Sequence, residues 1–222
     1  MIVGERKPVE SILAMLAPHG KVLLAGCGTC VTVCLAGGEK EVGVLAAALR
    51  LARQAEGKPL EVVEATIERQ CEHEFVEELA AKLAGAEAIL SLGCGAGVQT
   101  IAERYADLPV YPGLNTSFIG IPVKHGDWAE RCAACGDCIL DSTGGICPIA
   151  RCSKSLLNGP CGGSAEGKCE VSEDTDCAWQ LIFDRLKAQR RLELLAEVRP
   201  PKDWSRHRDG GPRRIVREDA AL

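Results

Sequence analysis

Lys21-Val-Leu-Leu-Ala-Gly-Cys-Gly-Thr-Cys30 begins as an apolar run and ends in a turn of glycine and cysteine. Five residues of that character, Lys21 to Ala25, predict a buried strand, and the stretch from Val31 to Glu56 predicts a helix. The alternation then repeats. Strands are expected at Leu60 to Ile67, Ala88 to Leu92 and Pro109 to Tyr111, with helices at Glu72 to Gly85 and Gly97 to Tyr105 between them. Strand–helix alternation of this kind predicts an α/β fold, a small parallel sheet with flanking helices. In the helix from Glu72, Phe75, Val76, Leu79, Ala80 and Leu83 recur at helical spacing, with Glu77, Glu78 and Lys82 opposite, as a core-facing helix requires.

A parallel sheet brings the carboxyl ends of its strands to one edge, where open α/β folds place their ligands. Five cysteines fall there. Cys27, Cys30 and Cys34 follow the first strand, Cys71 the second, and Cys94 the third within Leu-Gly-Cys-Gly-Ala-Gly. The turn at Gly26-Cys27-Gly28-Thr29 is not a full dinucleotide fingerprint, because Val31 stands at the third glycine position, and no phosphate-loop Gly-Lys-Ser/Thr occurs. Glycines beside cysteines suit another use, letting backbone N–H groups approach inorganic sulfur. A cubane takes four thiolates. Cys27, Cys30, Cys71 and Cys94 are the expected set, with Cys34 a buried thiol or an alternative to Cys27.

The texture changes near Gly120, so the expected segments are 1–120, a cysteine-rich 121–177 and a C-terminal helix and tail over 178–222. Eight of the thirteen cysteines lie between Cys132 and Cys177. Cys132-x2-Cys135-x2-Cys138 followed by Cys147-Pro148 is the bacterial ferredoxin motif with its last gap lengthened, which predicts a loop-dominated, ferredoxin-like iron–sulfur domain. In that motif the cysteine before proline serves the other cluster. Cys147 would then join Cys152, Cys161 and Cys169, and Cys177 would complete the first triplet, although the spacing also permits exchanges between the sets. Thirteen cysteines suffice for two or three 4Fe-4S clusters. Zinc in one four-cysteine site is the competing reading, because tetrathiolate knuckles are its common structural form.

Disulfides are not expected: the count is odd, the spacings are close, and the residues after Met1 begin no apolar export segment. No run approaches the roughly 18 apolar residues of a membrane span, so a cytoplasmic protein without membrane insertion is the expectation. A net charge of −5 argues against a nucleic-acid partner. Arg131, Arg151, Lys154 and Lys168 flank cysteines, where positive charge favours thiolates. His73 and His125 lack a histidine partner at ligand spacing and are not taken as ligands. No nucleophile and base stand at catalytic spacing. Trp128, Trp179 and Trp204 are core or interface anchors. A final helix is expected from about Cys177 to Val198, ending before Pro200-Pro201.

Several stretches resemble a known family. They are Cys27 to Val42 (Cys-Gly-Thr-Cys-x3-Cys-x2-Gly-Gly-Glu-Lys-Glu-Val), Glu68 to Glu72, Cys135 to Gly163, Gly167 to Val171 and Pro201 to Arg213. Together they are similar to the MetV-type iron–sulfur small subunit of methylenetetrahydrofolate reductase from acetogenic and related anaerobes. The resemblance implies a partner, a flavin-bearing TIM-barrel subunit that reduces 5,10-methylenetetrahydrofolate to 5-methyltetrahydrofolate in the Wood–Ljungdahl methyl branch. It implies that this chain is a non-catalytic electron-transfer subunit, with the flavin on the partner. The electron donor would be ferredoxin, an NADH-oxidising module, or a heterodisulfide-reductase-like or hydrogenase complex. A zinc-bearing assembly subunit without redox role is the alternative. The basic tail beyond Pro201 is expected to lie across the catalytic subunit.

Overall fold

The computed structural model describes residues 1–217 and Asp219. They form two compact units, Met1–Ala129 and Glu130–Leu222. In chain order the first unit contains β1 (Ile2–Arg6), α1 (Val9–Leu16), β2 (Lys21–Cys27), α2 (Cys30–Val33), α3 (Glu39–Ala55), β3 (Glu61–Ile67), α4 (His73–Val76), β4 (Ala88–Ser91), α5 (Gly95–Arg104), β5 (Val110–Pro112) and β6 (Leu114–Lys124). A further strand, β7 (Asp127–Cys132), carries the chain into the second unit.

The opening stretch of the sequence is the centre of this unit. β2 lies inside a four-stranded sheet of order β3-β2-β4-β5, parallel throughout. Its side chains alternate between two cores. Val22 and Leu24 face α1 and α3 through Ile12, Leu16, Leu45 and Leu49, whereas Leu23 and Ala25 pack with Val76, Leu79 and Ile101 on the other face. Helices thus cover both faces, which is why β2 reads as a continuous apolar run.

Three sequence expectations need correction. The helix expected over Val31 to Glu56 is two helices, because Leu35 adopts φ +56° and Ala36 and Gly37 both donate to Val31 O, closing α2. α3 then restarts at Glu39, with the Glu41 carboxylate accepting from the Gly38 N–H at 3.0 Å. The helix expected at Glu72 to Gly85 is α-helical only to Val76 and continues as a 3₁₀ turn, Glu77–Lys82. At the changeover Val76 O accepts from the Tyr105 hydroxyl at 2.9 Å. The expected final helix is α7 (Ala178–Ala188), shorter by half: Arg190 turns to φ +57° and Arg191 N–H bonds back to Leu186 O, a left-handed helix ending, and a separate 3₁₀ turn follows at Leu192–Leu195.

A second sheet, of order β1-β6-β7, has no counterpart in the sequence reading. β1 pairs antiparallel with β6. Gly120, where the texture of the sequence changes, lies inside β6; a Cβ there would sit 2.3 Å from Ala129 O, so close strand approach explains this glycine.

The second unit is mostly turns, with a single helical turn α6 (Pro148–Arg151), a two-stranded ribbon of β8 (Lys168–Cys169) and β9 (Ser172–Asp176), and α7. Its small core is Ile146, Cys177, Trp179, Ile182 and Leu186, with Cys152 and Leu156 against it. Trp179 is anchored by its indole N–H, which donates to Leu156 O at 3.0 Å.

Candidate metal-ligand sites

At the carboxyl edge of the parallel sheet, Cys27 is the last residue of β2, Cys71 follows β3 by four residues, and Cys94 caps the start of α5. The three thiols are neighbours: burial first, then the nearby Cys94 and Cys27 thiols, push the Cys71 thiol above its ordinary value. Cys30 opens α2 and stands near Cys34. Cys34 itself is buried against β1. Its thiol donates to Ile2 O at 3.4 Å, closing the free side of β1, and burial raises its pKa. Beside it lies a cavity of about 390 Å³ lined by Val3, Arg6, Leu35, Phe118 and Trp128.

The residue that organises the edge is one the sequence reading passes over. Gln70 is 1 % exposed; its amide donates to Ala25 O at 2.9 Å and its carbonyl oxygen accepts from Ser91 Oγ at 2.6 Å. It ties the loop bearing Cys71 to the ends of β2 and β4. The glycines around Cys94 make room for it: a Cβ on Gly93 would stand 2.2 Å from Gln70 Oε1, and one on Gly97 2.7 Å from Gln70 Cβ. Gly95 N–H is used too, donating to Thr116 Oγ1 at 2.8 Å. These glycines therefore make room for the protein's own side chains beside Cys94. A buried glutamine between polar neighbours carries no signal in one sequence.

In the second unit, the triplet loop winds through two left-handed residues, Ala134 at φ +50° and Gly136 at φ +87°. Ala134 N–H points at Cys132 Sγ, 3.4 Å away. The tail folds onto this loop. Lys202, its side chain 3 % exposed, donates to Asp137 O and lies 3.4 Å from Asp137 Oδ2, and Arg213 Nη1 donates to Ala134 O at 2.6 Å. Trp204 stacks over Lys202, its ring 5.3 Å from Nζ.

Four other cysteines, Cys152, Cys161, Cys169 and Cys177, line one cavity of about 20 Å³. Cys152 ends α6, Cys169 ends β8 and Cys177 caps α7. The Cys169 thiol is pulled below its ordinary value, by the Ser153 side chain first and then by the backbone at Val171, Ser172 and Ser153, with Ser153 Oγ 3.4 Å from its sulfur. Arg151 and Lys154 also border the cavity. Burial and the neighbouring Arg131 pull the Arg151 guanidinium below its usual value, while Lys154 is paired with Glu170 and Lys168 with Asp176. The structure groups Cys177 with Cys152, Cys161 and Cys169; Cys147 caps α6 outside this cavity.

All thirteen cysteines are described and all are free thiols. Among the described residues, no three His, Cys, Asp or Glu side chains are close enough together to share one metal ion. Cys152, Cys161, Cys169 and Cys177, from four separate segments, line one small cavity together with Arg151, Lys154 and Glu170. No helix among the described residues is long and apolar enough to cross a membrane.

The second unit is thus a thiol-presenting module carried after an α/β unit. Residues 111–205 match the profile of a protein family described as "Methylene-tetrahydrofolate reductase C terminal". The match takes in β6, β7, every cysteine from Cys132 to Cys177, α7 and the start of the tail. No curated protein and no solved structure matches the chain.

Proposed function

We propose that this chain is the iron–sulfur electron-transfer subunit of a methylenetetrahydrofolate reductase complex, delivering electrons to the flavin of a separate TIM-barrel catalytic subunit. The observation that carries the reading is the coincidence of the family match, residues 111–205, with the cysteine-bearing unit. That family names the reaction. The eight thiols of the unit suggest this chain's part in it. Iron–sulfur centres bound by such thiolates supply one-electron storage and transfer, which a partner flavin converts to hydride chemistry. Cys27, Cys30, Cys71 and Cys94 are the ligands proposed at the sheet edge, and Cys132, Cys135 and Cys138 in the triplet loop.

The chain's own residues have definable tasks. Gln70 holds the Cys71 loop against the strand ends. Ser153 and the backbone at Val171 and Ser172 favour the thiolate at Cys169. Lys202 and Arg213 fasten the triplet loop. The donor belongs to the class of ferredoxins, NADH-oxidising modules or heterodisulfide-reductase-like complexes, and the complex is placed in the cytoplasm.

The test is iron, zinc and acid-labile sulfide per chain on anaerobically purified protein, followed by mixing the dithionite-reduced, desalted protein with the oxidised flavin subunit. About eight or twelve irons per chain, from roughly four per cubane, and bleaching of the flavin near 450 nm are expected. Zinc with little iron or sulfide overturns the electron-transfer role and leaves a structural subunit.

A further inference from the structure

We propose that the cavity beside β1 binds a free α-amino acid with an aromatic side chain, held along the open edge of β1 as one residue of an added strand would be. The site lies wholly within the first unit and is independent of the electron-transfer reading. Its volume of about 390 Å³ falls in the range of small-molecule sites, roughly 300–1,000 Å³.

The strand edge supplies the backbone half of the site. β1 is an outer strand, paired with β6 on one side. Met1 O accepts from Gly120 N–H at 3.0 Å and Lys7 N–H donates to Gly113 O at 2.9 Å, so the peptide groups of alternate residues turn towards β6 and those of Ile2, Gly4 and Arg6 turn away. Cys34 closes only the start of that open side, its thiol bonded to Ile2 O and to the Gly4 backbone. Gly4 O and Arg6 N–H follow without a partner among the described residues. Successive strand residues point to opposite faces, so a cavity that touches all four residues from Val3 to Arg6 runs along the edge of β1 rather than over one face.

An α-amino acid matches this edge. In a parallel ladder one residue gives its N–H to the carbonyl before its partner residue and accepts from the N–H after it. The ammonium and carboxylate of a free amino acid offer the same two bonds to Gly4 O and Arg6 N–H. The charges agree. Glu5 and Arg6 both border the cavity, both are exposed, and neither is in an ion pair among the described residues, so the one carboxylate is free for the ammonium and the one guanidinium for the carboxylate. The remaining walls are apolar: Leu35 and Ala36 on one side, and the rings of Phe118 and Trp128, which suit an aromatic side chain. Trp128 adds a need of its own. Its indole N–H is buried and is the one such side-chain group among the described residues with no hydrogen-bond partner. A ligand oxygen held against that ring is the acceptor it lacks.

The experiment is isothermal titration of the full chain, purified anaerobically, with L-phenylalanine and with 3-phenylpropionate, phenethylamine and glycine, which lack in turn the ammonium, the carboxylate and the ring. L-Phenylalanine is expected to bind saturably with a dissociation constant of about 1 mM or below, from ordinary ligand efficiency, and each truncated probe about tenfold more weakly or worse. Arg6→Gln and Glu5→Gln, both at exposed positions, are each expected to weaken L-phenylalanine binding about threefold to tenfold. Trp128→Phe, which keeps a ring and removes the N–H, is expected to weaken it by a similar factor, with far-UV circular dichroism confirming folding. No saturable binding at about twentyfold above that constant, binding of glycine or 3-phenylpropionate as tight as that of L-phenylalanine, or unchanged affinity in both Arg6→Gln and Glu5→Gln would each overturn the site. Iron content and flavin reduction by the wild-type protein do not depend on these outcomes, so the amino-acid site and the electron-transfer role fail separately.

Discussion

Replacing Lys202 with methionine is expected to release the C-terminal tail from the Cys132–Cys138 loop. Methionine keeps most of the buried stem but removes the ammonium, whose side chain is only 3 % exposed. Three interactions go with it. The hydrogen bond to Asp137 O is charge-assisted and contributes about 1.5–3 kcal/mol. The ion pair with Asp137 Oδ2, at 3.4 Å to a carboxylate 43 % exposed, contributes about 0.5 kcal/mol after screening. The contact with Trp204 adds about 0.5 kcal/mol. Desolvation of the ammonium offsets part of this sum, leaving a net of about 2 kcal/mol, or roughly a 30-fold rise in the undocked population at 1.4 kcal/mol per tenfold. Limited trypsin digestion at Arg206 and Arg208 reads that population directly while reclosing outpaces cleavage. A cleavage rate in Lys202→Met within twofold of wild type would refute the reasoning and show that Arg213 alone holds the tail.

Arg53→Met is expected to lower the stability of the first unit by about 3 kcal/mol in urea titration, since the buried guanidinium donates to Lys58 O, Leu16 O and His19 O at 2.9, 3.0 and 3.2 Å; an unchanged midpoint would mean that water replaces it at no cost. Cys34→Ala is expected to cost about 1 kcal/mol through the lost bond to Ile2 O and to leave iron per chain unchanged, whereas iron loss would make Cys34 a ligand. Arg104 bonds to Glu77 hold that carboxyl below its usual range. A lowered folded value stabilises above the unfolded value, about 4.3, and the benefit is lost as pH falls through the folded one. The difference in urea midpoint between wild type and Arg104→Gln should therefore be constant at neutral pH and shrink in acid; a difference that grows in acid would contradict the pairing.

Several features were legible in the chain itself. The apolar run Lys21 to Ala25 and its successors specify parallel strands, because a strand buried on both faces must be apolar at every position and the interposed helical periods force crossovers. The placement of Cys27, Cys71 and Cys94 at one edge follows from that topology without coordinates. Local closure was harder to read. Leu35 and Arg190 end helices in the left-handed region, though neither is glycine, and nothing in their side chains announces it. β1 was invisible because its partner, β6, lies more than a hundred residues away.

What the sequence determined by itself is the inventory and the edge: thirteen thiols, an α/β unit, and a cysteine-rich segment whose motifs resemble an iron–sulfur subunit. Only the tertiary structure decided which groups meet. Gln70 fills the glycine gaps beside Cys94, Lys202 returns across 65 residues to Asp137, and Cys177 joins Cys152, Cys161 and Cys169. The physical reason is common to all three. Helical and strand periods are set by neighbours along the chain and are written there, whereas a buried polar contact or a shared cavity depends on turns that bring distant segments together, and its partners leave no periodic mark.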